Sequence, residues 1–173
     1  MAVCSAFARS SSLVILAGVA CGSPSRAPEA APAPVALALE SVSAERWAGG
    51  DVLFRCSATL TNTTSGDLSV RTNFFSPFDG LTIVLTGEDG AEITRQAYIY
   101  HQSPQTSEGV EHPLPIGSTT QELRFPILGL PADLRVVDVR LEGGLPGTPY
   151  ETGLRSNTVR AEIGPATDAT APP

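Results

Sequence analysis

A chain of 173 residues with 42% apolar and 17% charged side chains, 16 Gly and 15 Pro has room for one ordinary domain and too many turn-formers for a helical one. Its formal net charge of -7 excludes the clustered cations that nucleic-acid phosphates require, so no nucleic-acid partner is expected. All eleven basic residues are Arg, and without Lys there is no Schiff-base chemistry, no Walker-type phosphate lysine and no Lys–Asn cross-link.

Residues 1–21 have the three parts of an export signal. Arg9 supplies a positive charge, Leu13 to Ala20 form an apolar run, and the small residues Gly18 and Ala20 precede Cys21. Eight apolar residues fall well short of the roughly 20 of a membrane-spanning helix. Leu16-Ala-Gly-Val-Ala-Cys21 resembles the bacterial lipobox, with Gly18 standing where Leu is usual. That resemblance implies that Cys21 is acylated and becomes the new amino terminus, which would make the membrane a partner and the address periplasmic or outer-surface. Cleavage after Ala20 without lipid is a second reading and exports the chain too, and an uncleaved segment is the third.

Residues 22–34 are Pro/Ala-rich and read as an extended tether, able to reach about 40 Å at ~3.1 Å per residue. Residues 164–173 have the same composition and read as a frayed tail, leaving 35–163 as the folded domain. With Cys4 removed and Cys21 acylated, Cys56 has no partner for a disulfide. Its neighbours Val52, Phe54, Ala58 and Leu60 share its parity, so it reads as a small buried apolar side chain.

Strict alternation, the mark of a half-buried strand, recurs along the domain. It predicts strands over 35–42 and 51–62, the latter ending in the turn-former cluster Asn62-Thr-Thr-Ser-Gly66. Leu68, Val70 and Thr72 mark a third strand, followed by the loop Phe74-Phe-Ser-Pro-Phe-Asp-Gly80. Leu81, Ile83 and Leu85 mark a fourth, which turns through Gly87-Glu-Asp-Gly90 into a partner over 91–100. From His101 to Gly117 periodicity disappears, and Pro104, Pro113 and Pro115 predict a projecting excursion with no ladder. Strands resume at Leu123, Phe125 and Ile127, then over 134–142 and 158–163, with a Gly-rich loop at 143–157.

Eight or so short strands with one apolar face each bury those faces most economically as an all-β, two-sheet antiparallel sandwich. The turn motifs Leu60-Thr-Asn-Thr63, Phe75-Ser-Pro-Phe-Asp-Gly80, Glu88-Asp-Gly90 and Leu114-Pro-Ile-Gly-Ser118, in that order, resemble bacterial immunoglobulin-like domains. They are similar in particular to the intracellular proteinase-inhibitor (BsuPI-like) type, over residues 58 to 127. The resemblance implies an immunoglobulin-like antiparallel β-sandwich of about seven to nine strands. It also offers a function in which the 101–117 loop is presented to a protease. The export features point instead to a lipid-anchored binding or structural module of the cell envelope, with an envelope protein or a glycan as its partner.

Catalytic constellations are not visible. The two His, His101 and His112, lie in the Pro-rich excursion, and Ser103 is not in a nucleophile-elbow sequence. His101, Glu108, Glu111 and His112 have metal-ligand chemistry but no recognised zinc spacing, and Gly143-Gly144 lacks the helix and Lys of a phosphate loop. No enzyme activity, cofactor or metal is expected. The candidate binding surface is aromatic: Phe74, Phe75, Phe78, Tyr98 and Tyr100, with His101, fall at strand ends or in loops. They either form a contact platform or plug the open end of the sandwich.

Overall fold

The computed structural model describes residues 33–47, 49–72, 76–98 and 109–165. The chain separates into two units, Met1–Ala31 and Pro32–Pro173, and every described residue belongs to the second. Ten strands are found among the described residues: β1 (Val35–Arg46), β2 (Val52–Asn62), β3 (Leu68–Thr72), β4 (Leu81–Thr86), β5 (Glu92–Ala97), β6 (Val110–Leu114), β7 (Gly117–Ile127), β8 (Val136–Gly143), β9 (Leu154–Arg155) and β10 (Val159–Glu162). They form three sheets, in the orders β1-β2-β7, β10-β8-β4-β5 with β9 also on β8, and β3-β6. The described residues thus form an all-β, multi-sheet fold compatible with a β-sandwich.

Parity explains which face is buried. In β2 the side chains of Val52, Phe54, Cys56, Ala58 and Leu60 are buried while Arg55, Ser57, Thr59 and Thr61 are not. Leu123, Phe125 and Ile127 of β7 do the same beside them, and Leu81, Ile83 and Leu85 of β4 with Val137, Val139 and Leu141 of β8 supply the facing layer. All belong to one contiguous core. β1 changes parity part-way. Val35, Leu37 and Leu39 point inward, the register with β2 shifts between Leu39 and Ser41, and Val42, Ala44 and Arg46 take over. The extra residue lets an out-of-phase sequence keep its apolar set on one face, so β1 runs four residues beyond Val42, where simple alternation ends.

The outer edge of β1 is closed by the last part of the chain. Leu39 donates its N–H to Asn157 Oδ1 at 2.8 Å and accepts from Asn157 Nδ2 at 3.0 Å, so one side-chain amide replaces a neighbouring strand. Five residues on, Ala44 meets Ile163 in a parallel bridge. An exposed row of unpaired backbone groups is thereby blunted.

The expectation of a ladder-free excursion over 101–117 is overturned where the structure describes it. Val110–Leu114 pair with Leu68–Thr72 in register, Leu68 opposite Leu114 and Thr72 opposite Val110, and Leu114 is wholly buried. Pro113 is tolerated because, among the described residues, β6 has a strand on one side only, so half its backbone positions need no ladder donor. Residues 101–108 lie outside the described residues. Gly117–Gln121 likewise extend β7 backward from Leu123, held by cross-strand hydroxyl pairs: Thr59–Thr120 at 2.8 Å and Thr61–Ser118 at 3.1 Å.

Two buried polar side chains tie the ends together. Asn62, with no exposed surface, donates to Gly66 O and Leu114 O, both at 3.0 Å, and accepts from the N–H and hydroxyl of Thr64. It joins β2, its following turn and β6 in one knot. At the other end Arg46, 3% exposed, donates to Gly50 O, Pro131 O and Leu134 O. Asn62→Ala strands buried carbonyls and is expected to cost about 1–3 kcal/mol in urea unfolding. Leu114→Ala should cost about 2–5 kcal/mol, which checks directly that residues after Gly109 belong to the core.

Candidate binding cleft on the outer face of the five-stranded sheet

Of the six residues of the expected aromatic surface, the structure describes two, and both are core residues. Ser76-Pro77-Phe78-Asp79 makes a single helix-like turn. Asp79 Oδ2 accepts the N–H of Ser76 at 3.0 Å, Ser76 Oγ accepts the N–H of Phe78 at 3.1 Å, and Pro77 sits where its missing donor costs nothing. The turn drives Phe78 inward until none of it is exposed. Tyr98 is 5% exposed, hydrogen-bonds Leu81 O through its N–H at 2.8 Å and meets Phe125 edge-on, with centroids 5.3 Å apart and planes at 61°. Neither ring is offered to a partner, because the apolar gap between the sheets takes both. Phe74, Phe75, Tyr100 and His101 lie outside the described residues, as does Cys21.

Two titratable groups in the interior bear on chemistry. Cys56 has no exposed surface, and burial pushes its thiol up to about 12, so it is neutral at physiological pH and no nucleophile. Asp79 is pushed above its ordinary value of 3.8 chiefly by desolvation, against hydrogen bonds from Ser76 and Thr72 and the charge of His112. Its Oδ1 is buried without a hydrogen-bond partner among the described residues.

Polar chemistry gathers on the outward face of the five-stranded sheet. Register places Arg95 of β5 and Arg140 of β8 on either side of Val84 of β4, while Thr82 stands opposite Glu142 and Glu142 opposite Arg155 of β9. Val84 is fully buried although it points away from the core, because the aliphatic stems of the flanking arginines cover it. Glu142 then gathers three guanidinium groups. Its Oε1 accepts Nε of Arg140 at 2.7 Å and meets Nε of Arg155 at 3.3 Å, and its Oε2 accepts Nη1 of Arg95 at 2.8 Å. Arg95 turns its remaining face to Glu92, donating Nε and Nη2 to the two carboxylate oxygens at 3.2 and 3.1 Å. Hydrogen bonds from Arg140 and then Arg95 hold the Glu142 carboxyl below the usual range, and Arg95 does the same to Glu92.

Beside this network lies a cleft of about 430 Å³, walled by Thr82, Arg95, Glu142, Glu151, Thr152 and Arg155. Its floor requires glycine. A Cβ on Gly144 would fall 1.8 Å from Glu151 O, and one on Gly143 would fall 2.2 Å from Gly80 O. Three backbone segments therefore pass within contact of one another, and the 143–157 stretch, expected as a simple loop, returns through β9 onto β8. Sequence reasoning missed this site. The available signal was the polar parity of Thr82, Arg140 and Glu142 opposite the apolar parity of Leu81, Ile83 and Leu141.

The chain matches no family model and no curated protein.

A carboxyl raised by burial favours its protonated form in the folded state, so its contribution to stability is greatest below 3.8 and declines as pH rises through the raised value. Asp79→Asn removes that decline. It is expected to be at least as stable as the native protein at pH 7, with the difference vanishing on acidification below 3.8, as read by paired urea titrations across pH.

Proposed function

We propose that this protein is a lipid-anchored, extracytoplasmic immunoglobulin-like module of the cell envelope that binds or supports a partner and performs no catalysis. The observation that carries the reading is where the fold takes hold of the chain. Pro34 O accepts the N–H of Thr63 at 2.9 Å and its hydroxyl at 3.2 Å, so the sandwich begins at the residue where the Pro/Ala-rich tether behind Cys21 ends. β1 then runs away from that point, and the connections after Arg46 and Ile127 lie at the opposite end of the sandwich.

Strand order supports the immunoglobulin-like part. The orders β1-β2-β7 and β10-β8-β4-β5 correspond to A-B-E and G-F-C-C′ of an immunoglobulin-like sandwich. The β3-β6 ribbon is added on the two crossings, B to C and C′ to E. The parity shift in β1, followed by the parallel approach of Ala44 to Ile163, suits a first strand that leans from one sheet toward the other. For a binding role, the outward face of the G-F-C-C′ sheet offers a polar cleft on rigid strands. Against catalysis, the thiol of Cys56 is neutral and enclosed, and the Glu142 carboxylate at the cleft is tied to three guanidinium groups.

The lipid anchor is tested at Cys21. The native chain should partition into detergent and incorporate palmitate, while Cys21→Ala should appear as soluble protein or as uncut precursor. A mature protein whose amino terminus is an unmodified Cys21 by mass spectrometry would refute acylation.

A further inference from the structure

We infer that β7 pairs edge to edge, antiparallel, with β7 of a second copy of this chain, joining two three-stranded sheets into one. Backbone parity is the first ground. Thr63 sends its N–H to Pro34 O on the β1 side, and Leu39, opposite Ala58, sends its own away from β2 to Asn157 Oδ1. The even-numbered residues of β2 therefore turn toward β7 and bond its odd-numbered ones. The even-numbered residues of β7 turn outward. Pro126 fits this, since it has no N–H for the ladder and its carbonyl accepts Gln96 Nε2 from β5 at 3.0 Å. Ser118, Thr120, Glu122 and Arg124 share the orientation and are exposed, and their N–H and C=O groups make no hydrogen bond among the described residues. On the far side of the same sheet the amide of Asn157 closes the edge of β1, whereas this edge, on a strand of 11 residues, has no such cover. The free edge of β5 is shorter, at 6 residues, and its ladder shifts register beside Thr86.

A second copy fits this edge because its charges answer one another across a two-fold axis. Opposed residues of an antiparallel pair share parity, so a symmetric ladder centres on one residue and its counterpart. Centring on Leu123 sets Glu122 against Arg124 of the second copy and Arg124 against its Glu122, an opposite-charge pair on each side of the axis. Both pairs fall on residues whose backbone turns outward, so each also exchanges two N–H···O bonds. Centring on Glu122 or on Arg124 would set like charges face to face, and centring on Thr120 or Gln121 opposes no charges. The side chains have capacity to spare. Glu122 Oε1 accepts Nε of Arg124 at 3.0 Å and lies 3.9 Å from Nη1 of Arg55, while Glu122 Oε2 and both terminal nitrogens of Arg124 make no hydrogen bond among the described residues. The two side chains are 55% and 64% exposed. The inference rests on the binding-module reading, for which it names the partner, and is independent of the lipid on Cys21.

The test is sedimentation of the purified full chain over a range of concentrations, read together with amide hydrogen exchange. The average mass should rise with concentration from that of the monomer toward twice it. Over the same range the amides of Glu122 and Arg124 should gain protection, while those of Leu123 and Phe125, bonded to β2, stay protected throughout. Glu122→Arg and Arg124→Glu should each weaken dimerisation about fivefold with an unchanged unfolding midpoint, because each sets like charges opposite one another at exposed positions. Mixed in equal amounts, the two variants should associate at least as well as the native chain, since each supplies the charge the other lacks, a rescue that no contact within one chain can give. Arg160→Glu, on the other sheet, should leave association unchanged. A chain that stays monomeric up to millimolar concentration, single variants that associate as the native chain does, a mixture that fails to associate, or edge amides indifferent to concentration each overturns the pairing. Those results leave the binding-module reading standing, since a different partner could meet it on another surface. Turnover of a substrate by the native chain has the opposite effect, sinking the non-enzymatic reading and sparing the edge.

Discussion

Neither large sheet can bury its apolar face alone, and the packing of the two against each other is the condition that every other feature of this domain meets. β2 and β4 show the constraint most plainly, since Phe54, Leu60, Leu81, Ile83 and Leu85 have essentially no exposed surface. A shift of one residue in any ladder would turn such side chains to solvent, so register is strongly specified wherever a strand contributes to the core. β1 illustrates how the requirement is met when the sequence is out of phase: the irregularity between Leu39 and Ser41 absorbs one residue and restores the inward set.

Once the apolar faces are committed, the polar groups left at the ends of the sandwich need partners. Asn62 and Arg46 supply them, each reaching carbonyls of segments distant in sequence, Leu114 for the first and Pro131 and Leu134 for the second. Buried polar groups satisfied in this way specify which loops meet, because a wrong pairing would leave desolvated carbonyls. Asp79 is less well matched. Its carboxylate organises the turn that buries Phe78, yet one of its oxygens is enclosed without a hydrogen bond among the described residues, and the charge it carries opposes its own burial.

The outward faces acquire their chemistry from the same parity. Fixing Ile83 and Leu141 inward places Thr82, Val84, Arg140 and Glu142 together outside, and β9 adds Arg155 to them. A chain whose cations are all Arg is suited to this arrangement. A guanidinium can dock one nitrogen on a carboxylate and still present others, whereas an ammonium offers a single point of charge. A salt bridge as exposed as Arg95–Glu92 contributes little stability. The consequence of the network is orientation, in a cleft whose floor admits only backbone at Gly143 and Gly144.

Local sequence determined the elements whose alternation is unbroken. β2, the inward set of β4 and its hairpin to β5 are legible as written, as are the turn after Asn62 and the buried Cys56. In that hairpin Gly87 bonds to Ala91 and Gly90 takes a φ of 78°. Tertiary structure decided the rest for identifiable reasons. Pro113 argues against a strand locally, but among the described residues β6 is paired on one side only and escapes the prohibition. Phe78 and Tyr98 look like surface aromatics because they sit at strand ends, yet the gap between two packed sheets draws large rings inward. The cleft has no sequence motif at all, since its residues come from β4, β5, β8 and the returning β9. Alternation fixes which face of a strand is apolar, whereas the neighbours that its polar face meets depend on register between segments far apart in the chain, and that register exists only once both sheets have packed.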